Sequence, residues 1–211
     1  MPGFRPPRAT LLVVALVVAG TTGCGSILPE RGAQTYYRFD DASPIPASRA
    51  QPIARTLLIA PLSSNAVGNA YGMLYSRAAG ERAYYQNNEW TDRPTLRIAQ
   101  LLLERLDARR AFSGVAQIGS GVAGDVLVNV VVDDVVHDLQ AGGAGVGRLA
   151  VAVEVVDRRE RRLLGRRTFV ESSPAQTANA AGGAAAINRA VTRFLDDASA
   201  WIESVSETES R

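Results

Sequence analysis

Cys24 and His137 are the side chains best suited to nucleophilic or metal chemistry in this 211-residue chain, and each is the only one of its type. A thiolate beside an imidazole would make a Cys–His nucleophile. A Ser–His–Asp arrangement would need the same histidine, which stands in "VVDDVVHDL" beside Asp133, Asp134 and Asp138. No G-x-S-x-G elbow accompanies it, so His137 reads as a surface histidine at a strand end. One cysteine excludes an intramolecular disulfide framework and a Cys-rich zinc site, and one histidine excludes a His pair on a metal. Asp133 and Asp134 are adjacent; on a strand they point to opposite faces and do not converge on a metal or a sugar. The glycine run from Gly142 to Gly147 is followed by alternating residues where a dinucleotide loop needs a helix, so it reads as a flexible β-turn. No catalytic residue, cofactor or metal site is expected, and the chain does not read as an enzyme.

Cys24 finds a use through its position. Arg5 and Arg8 precede the apolar run "TLLVVALVVA" (residues 10–19), and Gly20, Thr21, Thr22 and Gly23 lead to Cys24. A basic start, a short apolar core and small residues before a cut are the layout of an export signal. The core spans about ten residues, where a membrane-crossing helix needs roughly 20. Gly23 and Cys24 resemble the end of the bacterial lipobox, Thr22 is acceptable in it, and Thr21 stands where Leu is usual. The resemblance implies cleavage between Gly23 and Cys24, with a thioether-linked diacylglycerol and an N-acyl chain on the new N-terminus. Each buried methylene contributes about 0.8 kcal/mol, so three chains anchor far more firmly than one. Gly25 follows the cysteine where Asp would be an inner-membrane retention signal, which favours the outer membrane. An ordinary secretory signal with an incidental cysteine, or a short uncleaved anchor, is the competing reading.

The composition is that of a globular protein: 46% apolar, 6% aromatic. All 23 basic residues are arginines, against 21 acids. Loss of Arg5 and Arg8 with the signal makes the two signs equal, which leaves no electrostatic footprint for nucleic acid.

The remaining elements are legible as periodicities. "TYYRFD" (residues 35–40) is a strand candidate, and three prolines then forbid regular pairing. Residues 55–62 read as a buried strand, and residues 71–76 with 82–86 as a hairpin. Residues 91–110 read as a helix capped by Thr91 or Asp92, with Pro94 in its first turn and Ile98, Leu101, Leu102 and Leu106 on one face. A short strand near 112–118 precedes three longer ones, residues 124–136, 147–157 and 161–172. Val126, Val128, Val130 and Val132 share a face, as do Leu149, Val151, Val153 and Val155. A last helix carries Ile187, Val191, Phe194, Ala198, Trp201 and Val205 as a stripe. Gly182 and Gly183 place its firm start near Ala184. The expected fold is a two-layer α/β (α+β) domain, a mainly antiparallel sheet with two amphipathic helices on one face. The expected division is a signal peptide over 1–23, a lipidated N-terminus and tether with one short strand over 24–54, the domain over 55–206, and a polar tail over 207–211. "AYYQNNEW" is the densest aromatic patch. Tyr84, Tyr85 and Trp90 serve either hairpin packing or a partner interface, where Tyr and Trp are enriched.

From "MLYSRAAGERAYYQNNEW" into the leucine-rich helix, the chain resembles the ABC-type transport auxiliary lipoproteins, the paraquat-inducible protein C-like family. Tyr75, Tyr84, Tyr85, Trp90 and Pro94 stand in the family's "Y … YY … W … P" places, with Tyr36, Tyr37, Pro61 and Trp201 matching elsewhere. The resemblance implies a lipoprotein of the cell envelope, anchored in the outer membrane and facing the periplasm. Its implied partners are inner-membrane ABC transporter subunits and a mammalian-cell-entry-domain protein, in moving lipids or other apolar molecules. Some relatives assemble into rings. A lipid carrier with its own cavity and an envelope hydrolase using His137 are the rival readings.

Overall fold

Alternating valines build the centre of the sheet. In the computed structural model, which describes residues 32–43, 50–63, 65–140 and 142–207, β6 (Val126–Asp138), β7 (Val146–Asp157) and β8 (Arg162–Pro174) form an antiparallel meander. Val126, Val128 and Val130 on β6 and Leu149, Val151, Val153 and Val155 on β7 are fully buried. The signal segment, Gly23 and Cys24 lie outside the described residues, as does 208–211. Residues from Gln34 onward form one compact unit.

Five shorter strands complete an eight-stranded sheet: β1 (Thr35–Tyr37), β2 (Ile53–Leu62), β3 (Gly72–Ser76), β4 (Ala83–Trp90) and β5 (Phe112–Gln117). Two helices, α1 (Pro94–Ala108) and α2 (Ala180–Glu207), pack on one face, α1 over β2 and β5 and α2 over β6, β7 and β8. This is the α+β two-layer architecture expected. The meander makes most of the ladder antiparallel. Outside it only the β3–β4 hairpin is antiparallel; β1–β4, β2–β5, β2–β6 and β3–β6 are parallel. Parallel partners need long crossovers, and α1 supplies the one between β2 and β5.

The sheet divides. β7 runs along one edge of β6, while β2 and β3 lie end to end along the other: Leu57–Leu62 pair with Val126–Val131, and Tyr75 and Ser76 pair with His137 and Asp138. β2 leads out to β5, and β3 leads out to β4 and β1. Two arms thus leave one strand, with a gap between them.

Two local features differ from expectation. A bulge at Asp133 shifts the β6–β7 register between Val132 and Asp134. The inward set moves from even residues (Val126 to Val132) to odd ones (Val135, His137). α2 starts at Ala180, not near Ala184, and Gly182 and Gly183 are inside it. The Asn179 side chain caps it, accepting the Gly182 N–H at 2.9 Å. Gly183 is there for space: a Cβ would stand 2.7 Å from His137 Nδ1. The backbone cost of two glycines, about 1 kcal/mol each, is offset by this cap and close packing. At the start of α1 neither Thr91 nor Asp92 caps. Arg93 is the N-cap residue and makes no side-chain cap bond, while Thr91 Oγ1 donates to Asp92 Oδ2 at 2.8 Å.

The segment after β1 is built into the domain. Phe39 is fully buried and stacks on Trp90 with ring centroids 3.8 Å apart. Asp41 pairs with Arg105 of α1, a residue only 3% exposed, whose guanidinium also meets Asp196 of α2. Arg109 holds Glu203 at 2.6 Å, a second pin between the helices.

Candidate functional site

The aromatic patch expected to serve either hairpin packing or a partner interface is divided by the fold. Tyr84 is 56% exposed on β4. Tyr85 turns the other way, packs against the core, and its Oη lies 2.7 Å from His137 Nδ1. Trp90 is 1% exposed and covered by Phe39, so its ring offers no surface to a partner; its covering residue comes from a distant segment.

His137 is buried, not at the surface as expected, because the Asp133 bulge turns it under α2. Its Nε2 lies 2.7 Å from the Ala144 carbonyl, which can only accept, so the proton sits on Nε2. Nδ1 then accepts from the Tyr85 hydroxyl, and burial pushes the Tyr85 phenol up from its ordinary value, which keeps that donor protonated. Both ring nitrogens are committed. The turn after β6 needs glycine at Gly145: its φ is +73°, and a Cβ would stand 2.4 Å from the Asp138 carbonyl. Asp133 is exposed at the bulge and Asp134 pairs with Arg82 at 2.8 Å. Among the described residues, no three His, Cys, Asp or Glu side chains are grouped to hold a metal, and no helix is long and apolar enough to cross a membrane.

The concave site lies at the fork of the sheet. The registers bring the carboxyl ends of β1, β2, β4 and β5 to the same gap, under the first turns of α1. A crevice beyond the carboxyl ends of strands is where open sheets bind ligands. The cleft here has a volume of about 520 Å³. Ile59 and Pro61 come from β2, Tyr71 precedes β3, Arg38 follows β1, and Asp92 and Arg93 follow β4. α1 adds Leu96, Arg97 and Leu103. The Arg93 guanidinium lies 5.7 Å from the Tyr71 ring centroid. Arg97 donates to the Phe39 carbonyl at 3.3 Å and meets Glu104 at 3.2 Å, and Arg38 meets Asp40 at 2.9 Å. Arg93 and Arg97 are one turn apart at the start of α1, whereas Arg38 comes from the distant segment after β1, so no motif announced the three together. The one local signal is Leu96, an apolar residue on the polar side of α1 and 49% exposed.

The site thus sits on a two-layer domain with a forked sheet, a cleft at the fork and a buried histidine. The family model for the ABC-type transport auxiliary lipoprotein component matches residues 37–199, and the chain belongs to that family. A solved structure of a Xanthomonas campestris protein is similar with a TM-score of 0.75 at 18% identity, over 83% of this chain and 99% of that one. A second solved structure is similar with a TM-score of 0.61 at 13% identity, over 81% and 99%. At these identities the likeness shows the fold alone. No curated protein sequence matches the chain.

Proposed function

We propose that this protein is a non-enzymatic, lipid-anchored accessory of an envelope transport system, held in the outer membrane and facing the periplasm. It works with ABC transporter subunits of the inner membrane and a mammalian-cell-entry-domain protein to move lipids or other apolar compounds between membranes. The family match over residues 37–199 carries this reading. Cys24, behind a short apolar run and small residues, supplies the anchor, and Gly25 after it favours the outer membrane. His137 speaks against the hydrolase reading: a general base needs a free nitrogen within reach of its proton, and both are spent on Tyr85 and Ala144. A homo-oligomeric ring belongs to the same reading, and native mass spectrometry of the detergent-extracted full chain reads the subunit number.

The test is a deletion strain. Increased permeability to apolar compounds, restored by the full chain and by its His137→Ala variant, is the expected outcome. Unchanged permeability, or rescue lost in a His137→Ala variant that is folded and present at the wild-type level, contradicts the reading.

A further inference from the structure

The cleft at the fork has the chemistry of a particular ligand class. Three guanidinium groups, Arg38, Arg93 and Arg97, face one carboxylate, Asp92. Arg38 and Arg97 are partly neutralised by Asp40 and Glu104. Among the described residues Arg93 has no ion pair and meets the face of the Tyr71 ring, which leaves its N–H donors available to a ligand. Guanidinium is the side chain best shaped for a phosphate, which it grips through paired N–H donors. Behind this charge Ile59, Pro61, Leu96 and Leu103 form an apolar wall, with Leu96 half exposed at its rim. A free inorganic anion has no use for that wall, and a neutral hydrocarbon has none for the arginines. An anion carried on an aliphatic chain uses both. The volume of about 520 Å³ lies within the roughly 300–1,000 Å³ of small-ligand sites. It suits a headgroup and the start of one chain, with the remainder left outside.

We propose that this cleft holds the phosphate headgroup and proximal acyl segment of an anionic phospholipid, with Arg93 as its principal phosphate ligand. The inference rests on the reading of the chain as a lipid-anchored transport accessory. The backbone from Cys24 to Arg38 reaches at most about 50 Å, so an anchored chain keeps the cleft close to a bilayer. The cleft would take lipid at that surface, one molecule at a time.

The experiment uses the full lipidated chain in phosphatidylcholine vesicles doped with radiolabelled phosphatidylglycerol or, in a parallel set, radiolabelled phosphatidylethanolamine. A photo-crosslinking residue is introduced as Leu96→benzoylphenylalanine, and in a control as Val170→benzoylphenylalanine on the helix-free sheet face. The expected result is a labelled adduct at position 96 with phosphatidylglycerol, and little at position 170. Adding Arg93→Gln lowers it about tenfold, the scale of one charged hydrogen-bonded contact. Arg93 is exposed, and circular dichroism confirms that the variant is folded. Equal labelling at 96 and 170, equal labelling by the two lipids, or labelling indifferent to Arg93→Gln overturns the proposal. Partner association is measured separately. Its loss with the adduct intact counts against the transport reading alone, and an absent adduct with the partner bound counts against the cleft alone.

Discussion

His137 joins three elements: β6 carries it, Tyr85 of β4 donates to it, and Gly183 of α2 packs on its ring. Replacing it with Ala leaves the Tyr85 hydroxyl without its acceptor and opens a void, at a cost of about 2–4 kcal/mol in urea unfolding. Gly183→Ala forces a Cβ into the imidazole, and its cost should shrink in a His137→Ala background because Nδ1 and Cγ are gone. Additive costs in that double-mutant cycle would show that the contact is not what requires glycine. The burial of His137 was illegible in the sequence for a physical reason: a single extra residue at Asp133 reverses which side chains face inward, and nothing in "VVDDVV" marks where the bulge falls. The cover on Trp90 was hidden similarly, since Phe39, which stacks on it, lies far upstream.

At the scale of elements, the pattern carried most of the information. Valine alternation located β6 and β7, and Pro94 with the leucine spacing located α1. The start of α2 was hidden because local propensity disfavours Gly182 and Gly183, whereas packing on β6 requires the second of them. The parallel pairings were hidden because each joins residues far apart in the chain. Two acids hold the elements that meet at the start of β6. Asp125 accepts the Thr56 N–H at 2.9 Å, and this bond, with Arg159 beside it, lowers its pKa. Asp157 is lowered by the Glu160 N–H, with help from Arg55 and the Arg159 N–H. Groups with lowered folded pKa values contribute stability above the unfolded value, about 3.9, and lose it as pH falls through the folded value. Urea unfolding between neutral pH and about pH 3 should therefore show stability dropping below about pH 4, with a shallower drop in Asp125→Asn and Asp157→Asn. An unchanged profile in both variants contradicts this assignment. The Arg105 pins differ in worth. Asp41 is mostly buried and Asp196 is half exposed. Asp41→Ala, which leaves the buried guanidinium with the half-exposed Asp196 as its counter-ion, should cost about 3 kcal/mol and Asp196→Ala about 1 kcal/mol. Equal costs would mean that the strap after β1 is not held by this pair.

Across the whole molecule, the fold class and the order of elements were readable, whereas the cleft was not. Its walls come from four strand ends and a helix, and only the forked pairing of β2 and β3 on β6 brings them together. Tethering belongs to this scale as well. A Cys24→Ala variant should lose its lipid and leave the membrane fraction or stay unprocessed, as fractionation and mass spectrometry of the N-terminus will read. An unmodified Cys24 in the mature protein would remove the anchor from the account. The most direct test of the central claim is co-purification of the detergent-extracted full chain with a mammalian-cell-entry-domain protein of the same envelope. The account predicts that the two are recovered together, with the transporter subunits, and that Tyr84→Ala, at an exposed side chain of β4, leaves the fold intact while the recovery is measured. Recovery of the chain alone, from an envelope where that protein is present and intact, would contradict it.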